Sequence, residues 1–302
     1  MKNYTSLSQG IYKKEGAIMV DIDFKSKLFI DAEKHPRNRS RILIHNDTDS
    51  IPQEMVIAFT EESIVEVSTH LFPESFTILQ GIAKYIFYKE SGDLLGDIIL
   101  SPYSNFGTFY CFIPKNTFHR FIPYTQKSLA HEIGFSDFSR ESTTLYLDNQ
   151  FKSISSRSNK DYSYNSRSIY KEKSNYEVSE GKNIRRVIIS GDIITISYDL
   201  IDSYMASEKP TLFNIDNQIP DSIQENILCL LPGQIYQVNS NKILNTVSIL
   251  EGNVILYLEN SENLDLKINS AVLYTSDKNN NIVKIANKSE KLSILRFISK
   301  SK

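Results

Sequence analysis

Seven short apolar runs follow one another between Met55 and Phe121: Met55–Phe59, Ile64–Val67, Phe76–Leu79, Ala83–Tyr88, Asp97–Leu100, Phe109–Ile113 and Phe118–Phe121. Turn-forming stretches part them, among them Glu90-Ser91-Gly92-Asp93, Pro102-Tyr103-Ser104-Asn105 and Pro114-Lys115-Asn116-Thr117. Each run has the length and the β-branched and aromatic content of a strand. Short strands at this spacing must pair among themselves, which predicts a sandwich or a barrel.

The pattern recurs. From Ile227 to Ile298 a second β-rich region shows alternation in Val254–Leu258, Leu264–Ile268 and Leu292–Phe297. Ahead of it, Val187–Ser190 and Ile193–Tyr198 flank Ser190-Gly191-Asp192, a hairpin candidate, and the polar residues from Ser203 to Gln218 read as a loop. Leu28, Phe29 and Ala32 fall at near-helical spacing before Pro36, so one short helix is expected over 24–34. Ala17–Ile22 is a candidate edge strand. Residues 151–177 carry Ser, Lys, Arg, Asn and Tyr with few aliphatics and read as a linker. The expected organisation is a first domain over 1–150, a linker over 151–178 and a second β domain over 179–302. A length of 302 residues and 40% hydrophobic content suit two such cores.

A formal charge of −2 gives no global basis for binding nucleic acid or an anionic membrane. No apolar run approaches ~18 residues, so no membrane span is expected, and a soluble cytoplasmic protein follows. Cys111 and Cys229 lie far apart in apolar runs without a CxxC pair, which predicts buried, reduced thiols.

Chemistry concentrates in Ser68–Gly81. His70, Glu74 and Gly81 keep the spacing of the first metal motif of cupins, H-x-H-x3-E-x6-G, with Ser68 in place of the first His. Gly107…Pro114-Lys115-Asn116-Thr117-Phe118-His119 resembles the second, loosely G-x5-P-x-G-x2-H-x3-N, with one residue inserted before Pro114 and Asn116 for the turn Gly. Asn tolerates the positive φ that such a turn needs. His70, Glu74 and His119 then form a two-His, one-carboxylate set with open coordination positions, suited to Fe(II) and less exclusively to Mn, Ni or Zn. Ser68 leaves a fourth position that His45, His131 or water could fill. Glu74 and His119 are also the candidate proton-moving groups. Arg37, Arg39 and Arg41 alternate, so an extended backbone would put them on one face, a geometry suited to carboxylate or phosphate. Arg37, Arg39 and His45 are therefore candidate substrate contacts.

In the second half Gly233 and Gly252 fall in register with the first motif, and its three ligand positions are Asn239, Asn241 and Asn245. A neutral amide oxygen is a poor ligand for transition metals, so this copy is expected to hold none. Together the two matches predict an all-β bicupin: two jelly-roll (double-stranded β-helix) barrels, a short N-terminal helix and a polar linker.

The run Pro36-Arg37-Asn38-Arg39-Ser40…His45, with Pro52-Gln53, His70…Glu74…Gly81 and Pro114…Thr117-Phe118-His119, resembles the WbuC-type cupin-fold metalloproteins over about residues 24–138. Those proteins are encoded among O-antigen and other surface-polysaccharide genes. The resemblance implies a divalent metal cofactor and a small sugar or sugar-derived substrate in polysaccharide or nucleotide-sugar metabolism, with an isomerase or epimerase as one reaction class. A non-catalytic carbohydrate-binding or scaffold bicupin and an Fe(II)-dependent dioxygenase are the alternatives. Cupin strand edges need cover, and a homodimer is the expected assembly.

Overall fold

The computed structural model describes residues 4–16, 18–45, 47, 50–63, 65–102, 108–136, 143–145, 177–181, 184–189, 194–197, 210–215, 219, 222–239, 242–259, 266–269, 272–275 and 281–301. The linker over 151–176, the turn over 190–192, the loop over 203–209, the turn at 103–105 and Asn241 lie outside them.

The first half contains β1 (Tyr4–Ser8), β2 (Ile11–Lys14), β3 (Ile18–Val20), α1 (Ile22–Lys34), β4 (Arg39–Leu43), β5 (Gln53–Thr60), β6 (Ser68–His70), β7 (Glu74–Gln80), β8 (Ala83–Tyr88), β9 (Leu94–Leu100), β10 (Thr108–Ile113), β11 (Phe118–Pro123), β12 (Lys127–Gly134) and β13 (Thr143–Leu145). The second contains β14 (Glu177–Gly181), β15 (Ile184–Ile189), β16 (Ile194–Ser197), β17 (Thr211–Ile215), β18 (Ile223–Leu230), β19 (Ile235–Gln237), β20 (Lys242–Glu251), β21 (Asn253–Leu258), β22 (Leu266–Asn269), β23 (Val272–Thr275), β24 (Ile282–Asn287) and β25 (Ser293–Ser301). The helix begins where the Asp21 carboxylate accepts the Phe24 N–H at 3.0 Å, and it stops before Pro36. It buries Phe24, Leu28, Phe29 and Ala32, and Ser40 of β4 donates to the Leu28 carbonyl at 2.6 Å.

Each barrel is two facing sheets. The first pairs an 8-stranded sheet, β1-β2-β4-β5-β12-β7-β10-β16, with a 5-stranded one, β13-β6-β11-β8-β9. The second pairs β14-β15-β17-β18-β25-β20-β23-β3, also 8-stranded, with a 4-stranded sheet, β19-β24-β21-β22. The large sheets repeat one another strand for strand, and the small ones do so except for β13, which has no counterpart among the described strands of the second barrel. Gly81 and Gly252 end equivalent strands at φ +82° and +78°. A Cβ at either would lie 2.5 Å from a backbone carbonyl, of Lys127 and of Leu292 respectively, so only glycine fits.

The strand expected within 17–22 forms at Ile18–Val20, as the edge of the second barrel's sheet beside β23. Conversely β16 does not fold back on β15 as the hairpin reading had it. It pairs antiparallel with β10, Cys111 opposite Thr195, while β15 takes β14 and β17 as neighbours. Each half thus lends one edge strand to the other, β16 covering the edge of β10 and β3 that of β23.

The large sheets meet across a buried polar seam. Arg296 and Glu225 form an ion pair with fully buried side chains. Glu225 also accepts hydrogen bonds from Ser75 at 2.9 Å and Tyr110 at 2.8 Å, and Arg296 Nη1 donates to the His131 carbonyl at 2.9 Å. Beside them Thr246 donates to Glu54 at 2.6 Å, and the Ser248 hydroxyl lies 2.8 Å from His131 Nδ1. Cys111 and Cys229 are both buried, and neither is in a disulfide. Among the described residues no helix is long and apolar enough to cross a membrane.

Candidate metal centre

Three strands bring the site together inside the first barrel. Glu74 opens β7 with its side chain inward, because Ser75 beside it faces the seam and successive strand residues alternate. His70 ends β6, and His119 sits in β11 opposite Ser68. The turn into β11 is tied back to β6 by Asn116, whose N–H donates to the His70 carbonyl at 2.7 Å. Asn116 adopts φ +61°, the left-handed conformation expected where the cupin motif has glycine.

One ligand atom from each of His70, Glu74 and His119 lies within 4.8 Å of the others. Glu74 Oε1 is 2.9 Å from His119 Nε2, and Oε2 is 3.4 Å from His70 Nε2. All three side chains are enclosed, His70 the least at 15% exposure. Bonds of about 2.1 Å to a central ion hold ligand atoms roughly 3–4.3 Å apart, so small side-chain shifts would suffice. Two further observations fit an ion. Glu74 Oε1 is buried and lacks a well-directed hydrogen bond despite its short separation from His119. His119 Nδ1 lies 2.8 Å from the Thr117 carbonyl, so its N–H donates there and Nε2 is turned toward the carboxylate, the arrangement that orients a metal-binding imidazole.

The electrostatics agree. Burial pushes the Glu74 carboxyl up, but His119 and His70 outweigh it and hold it at about 2. Burial pulls His119 down, and the Glu74 charge and the Thr117 carbonyl raise it overall. His70 is lowered, chiefly by burial. Phe72 stacks on the His70 ring at 5.3 Å, and Tyr85 meets His119 edge-on at 5.7 Å. A Cβ at Gly134 would come within 3.0 Å of the Phe72 ring, so the glycine makes room for His70's support.

The arginines divide. Arg39 and Arg41 in β4 lie opposite Phe59 and Ile57 of β5, whose inward neighbour Met55 faces Glu132 of β12. Residues directly opposite share a face, so both arginines and Glu132 line the same interior as Glu74. Burial and the neighbouring Arg37 and Arg41 charges lower Arg39 to about 10, and the buried Nε of Arg41 has no hydrogen-bond partner. Arg37 precedes the strand, is exposed, and pairs with Glu66 at 3.5 Å.

Neither His45 nor His131 joins the group of His70, Glu74 and His119. His45 Nδ1 is held at the backbone of Glu54, 2.9 Å from its carbonyl and 3.1 Å from its N–H. His131 lies next to Glu132 in β12 and so points the other way, into the seam, where burial and the Arg296 charge keep it neutral.

Two residues of this interior did not figure among the predicted contacts. Arg41 continues the alternation of Arg39, which was a usable signal. Glu132 is a lone acid within the apolar run Leu129–Phe135, and its raised carboxyl, at about 7, comes from burial and then from the Glu74 charge, against the pull of Arg41 and Arg39.

A model of a domain of unknown function (DUF6016) matches residues 20–100. No curated protein matches the sequence. Among solved structures the chain is similar to a point mutant of salicylate 1,2-dioxygenase from Pseudoaminobacter salicylatoxidans in complex with gentisate, at 11% identity over 99% of this chain and 84% of that one, with a TM-score of 0.60. It is also similar to oxalate decarboxylase from Lactobacillus farciminis in a formate complex, at 14% identity, 87% and 81% coverage and a TM-score of 0.46. The Bacillus subtilis oxalate decarboxylase at pH 4.6 aligns at 13% identity, 87% and 72% coverage and a TM-score of 0.45. The likeness to the dioxygenase structure bears on the fold alone: an all-β cupin architecture of two barrels.

Proposed function

We propose that the first barrel of this bicupin holds a divalent metal ion on His70, Glu74 and His119 and acts on a small sugar-derived substrate carrying an anionic group. The observation that carries the reading is the convergence of one ligand atom from each of His70, Glu74 and His119 to within 4.8 Å of the others in an enclosed interior. The working units are residues 1–150 and 179–302, joined by 151–178, each lending the other an edge strand. The resemblance to WbuC-type proteins supports a place in surface-polysaccharide or nucleotide-sugar chemistry.

When bound, the ion supplies a Lewis acid that polarises a substrate oxygen. The chain's own groups do the rest. Arg39 and Arg41 anchor the anionic group, since guanidinium forks match carboxylate and phosphate oxygens. With both histidines and Glu74 committed as ligands, Glu132 is the inward-facing group left to take a proton from a substrate carbon and return it, the step an isomerase or epimerase needs.

The first test is elemental analysis of untagged protein. About one equivalent of metal in the wild type and none in His70→Ala or His119→Ala supports the site; an empty wild type, or metal retained in both variants, ends it. The second concerns the arginines. Arg39→Ala and Arg41→Ala are expected to keep the metal and to weaken binding of glucuronate or glucose 6-phosphate by roughly 10- to 100-fold in calorimetry. Unchanged affinity would remove the arginines from substrate binding while leaving the metal centre in place.

A further inference from the structure

We infer that the second barrel carries a binding site of its own for a neutral, multiply hydroxylated ligand: a monosaccharide unit or small polyol. Its mouth encloses a cavity of about 60 Å³ lined by Asn214, Gln224, Asn226, Tyr236, Phe297 and Ser299, with Asn239 at the rim. That is room for about four ordered waters, or for one edge of a sugar ring with the remainder in solvent.

The cavity is the counterpart of the metal centre. Asn226 of β18 lies opposite Phe297 of β25 as Met55 lies opposite Glu132, and Leu212 lies opposite Leu228 as Arg41 lies opposite Ile57. Phe297 thus replaces Glu132, and Leu212 replaces Arg41. Two charges of the first interior thus have their places taken by neutral side chains, and among the described residues none that lines the cavity is charged. An ion entering would lose its hydration without a counter-charge.

What remains is suited to hydroxyl groups. The amides of Asn214 and Asn226 each carry donors and an acceptor, the combination that meets adjacent hydroxyls. The rings of Tyr236 and Phe297, with centroids 5.7 Å apart, give an aromatic wall for the apolar face of a sugar. Ser299 lines the same space, is 1% exposed, and its hydroxyl has no hydrogen-bond partner. A buried hydroxyl left unpaired costs stability, which a ligand hydroxyl would restore.

The test is saturation-transfer NMR and calorimetry on the full chain with glucose, galactose, mannose, N-acetylglucosamine and glycerol, and with the methyl glycosides standing in for a glycan end. At least one is expected to bind with millimolar or better affinity. Asn226→Leu and Ser299→Val should each weaken it by about tenfold or more. The half-buried Asn214→Ala serves if either variant fails to fold. A His70→Ala/His119→Ala double variant should bind the sugar as the wild type does, which separates this site from the metal centre. Preference for the methyl glycosides would identify a glycan end, and preference for the free compounds a metabolite. No binding by the wild type, unchanged binding in the cavity variants, or loss in the double His variant overturns the inference.

Discussion

Glu74→Gln is expected to lower the first barrel's metal affinity by at least about 100-fold, beyond the ~10–100-fold that changes in outer-shell partners typically cause. The substitution conserves shape and removes only charge, so its effect isolates the electrostatic share of the site. Glu74 is the anionic member of the proposed ligand set, between two imidazoles at 2.9 Å from His119 and 3.4 Å from His70. A neutral amide leaves a divalent ion uncompensated in a buried place and donates weakly to it. Competition titration against a chelator, followed by elemental analysis, measures the change. Affinity within a few fold of wild type would show that the carboxylate is not a ligand.

The largest loss of stability is expected at Arg296→Ala. Arg296 bridges Glu225, Ser75 and the His131 carbonyl across the seam, and its guanidinium lies 5.5 Å over the Tyr110 ring. Truncation leaves the Glu225 carboxylate fully buried without a counter-charge, which costs about 3–5 kcal/mol. For a chain of this size that is a fall in Tm on the order of 5–8 °C. Because the residue belongs to both barrels' packing, the melt should remain one transition at the lower temperature. Arg296→Met combined with Glu225→Leu should recover most of the loss, since removing both charges removes the penalty. A shift under about 2 °C for Arg296→Ala would mean the seam is wetter than the buried pair implies.

Much of the fold could be read in the residues, because its signals are local. The helix over 22–34 announces itself through Leu28, Phe29 and Ala32 and stops at Pro36, and the strands between Met55 and Phe121 are bounded by their turns. The grouping of His70, Glu74 and His119 was legible for the same reason: His70 and Glu74 are four residues apart, and Asn116 and His119 keep the spacing of a turn with its strand. What escaped depends on partners distant in sequence. Ile194–Ser197 is a good strand anywhere, and only the open edge of β10 determines where it goes. His131 and Glu132 look equally available in the sequence. One faces the seam and the other the metal cavity, a difference of one residue in register that is visible once β5 and β7 are in place.

The exchanged strands bear on how the chain is made. Synthesis delivers residues in order, and early segments can fold while later ones are still on the ribosome. Here the outer edge of β10 stays bare until residues 194–197 have emerged, and β3 lacks its neighbour until β23 is synthesised. During that interval the nascent first barrel shows an unpaired edge to its neighbours, a natural place for a chaperone to hold and for premature association to begin.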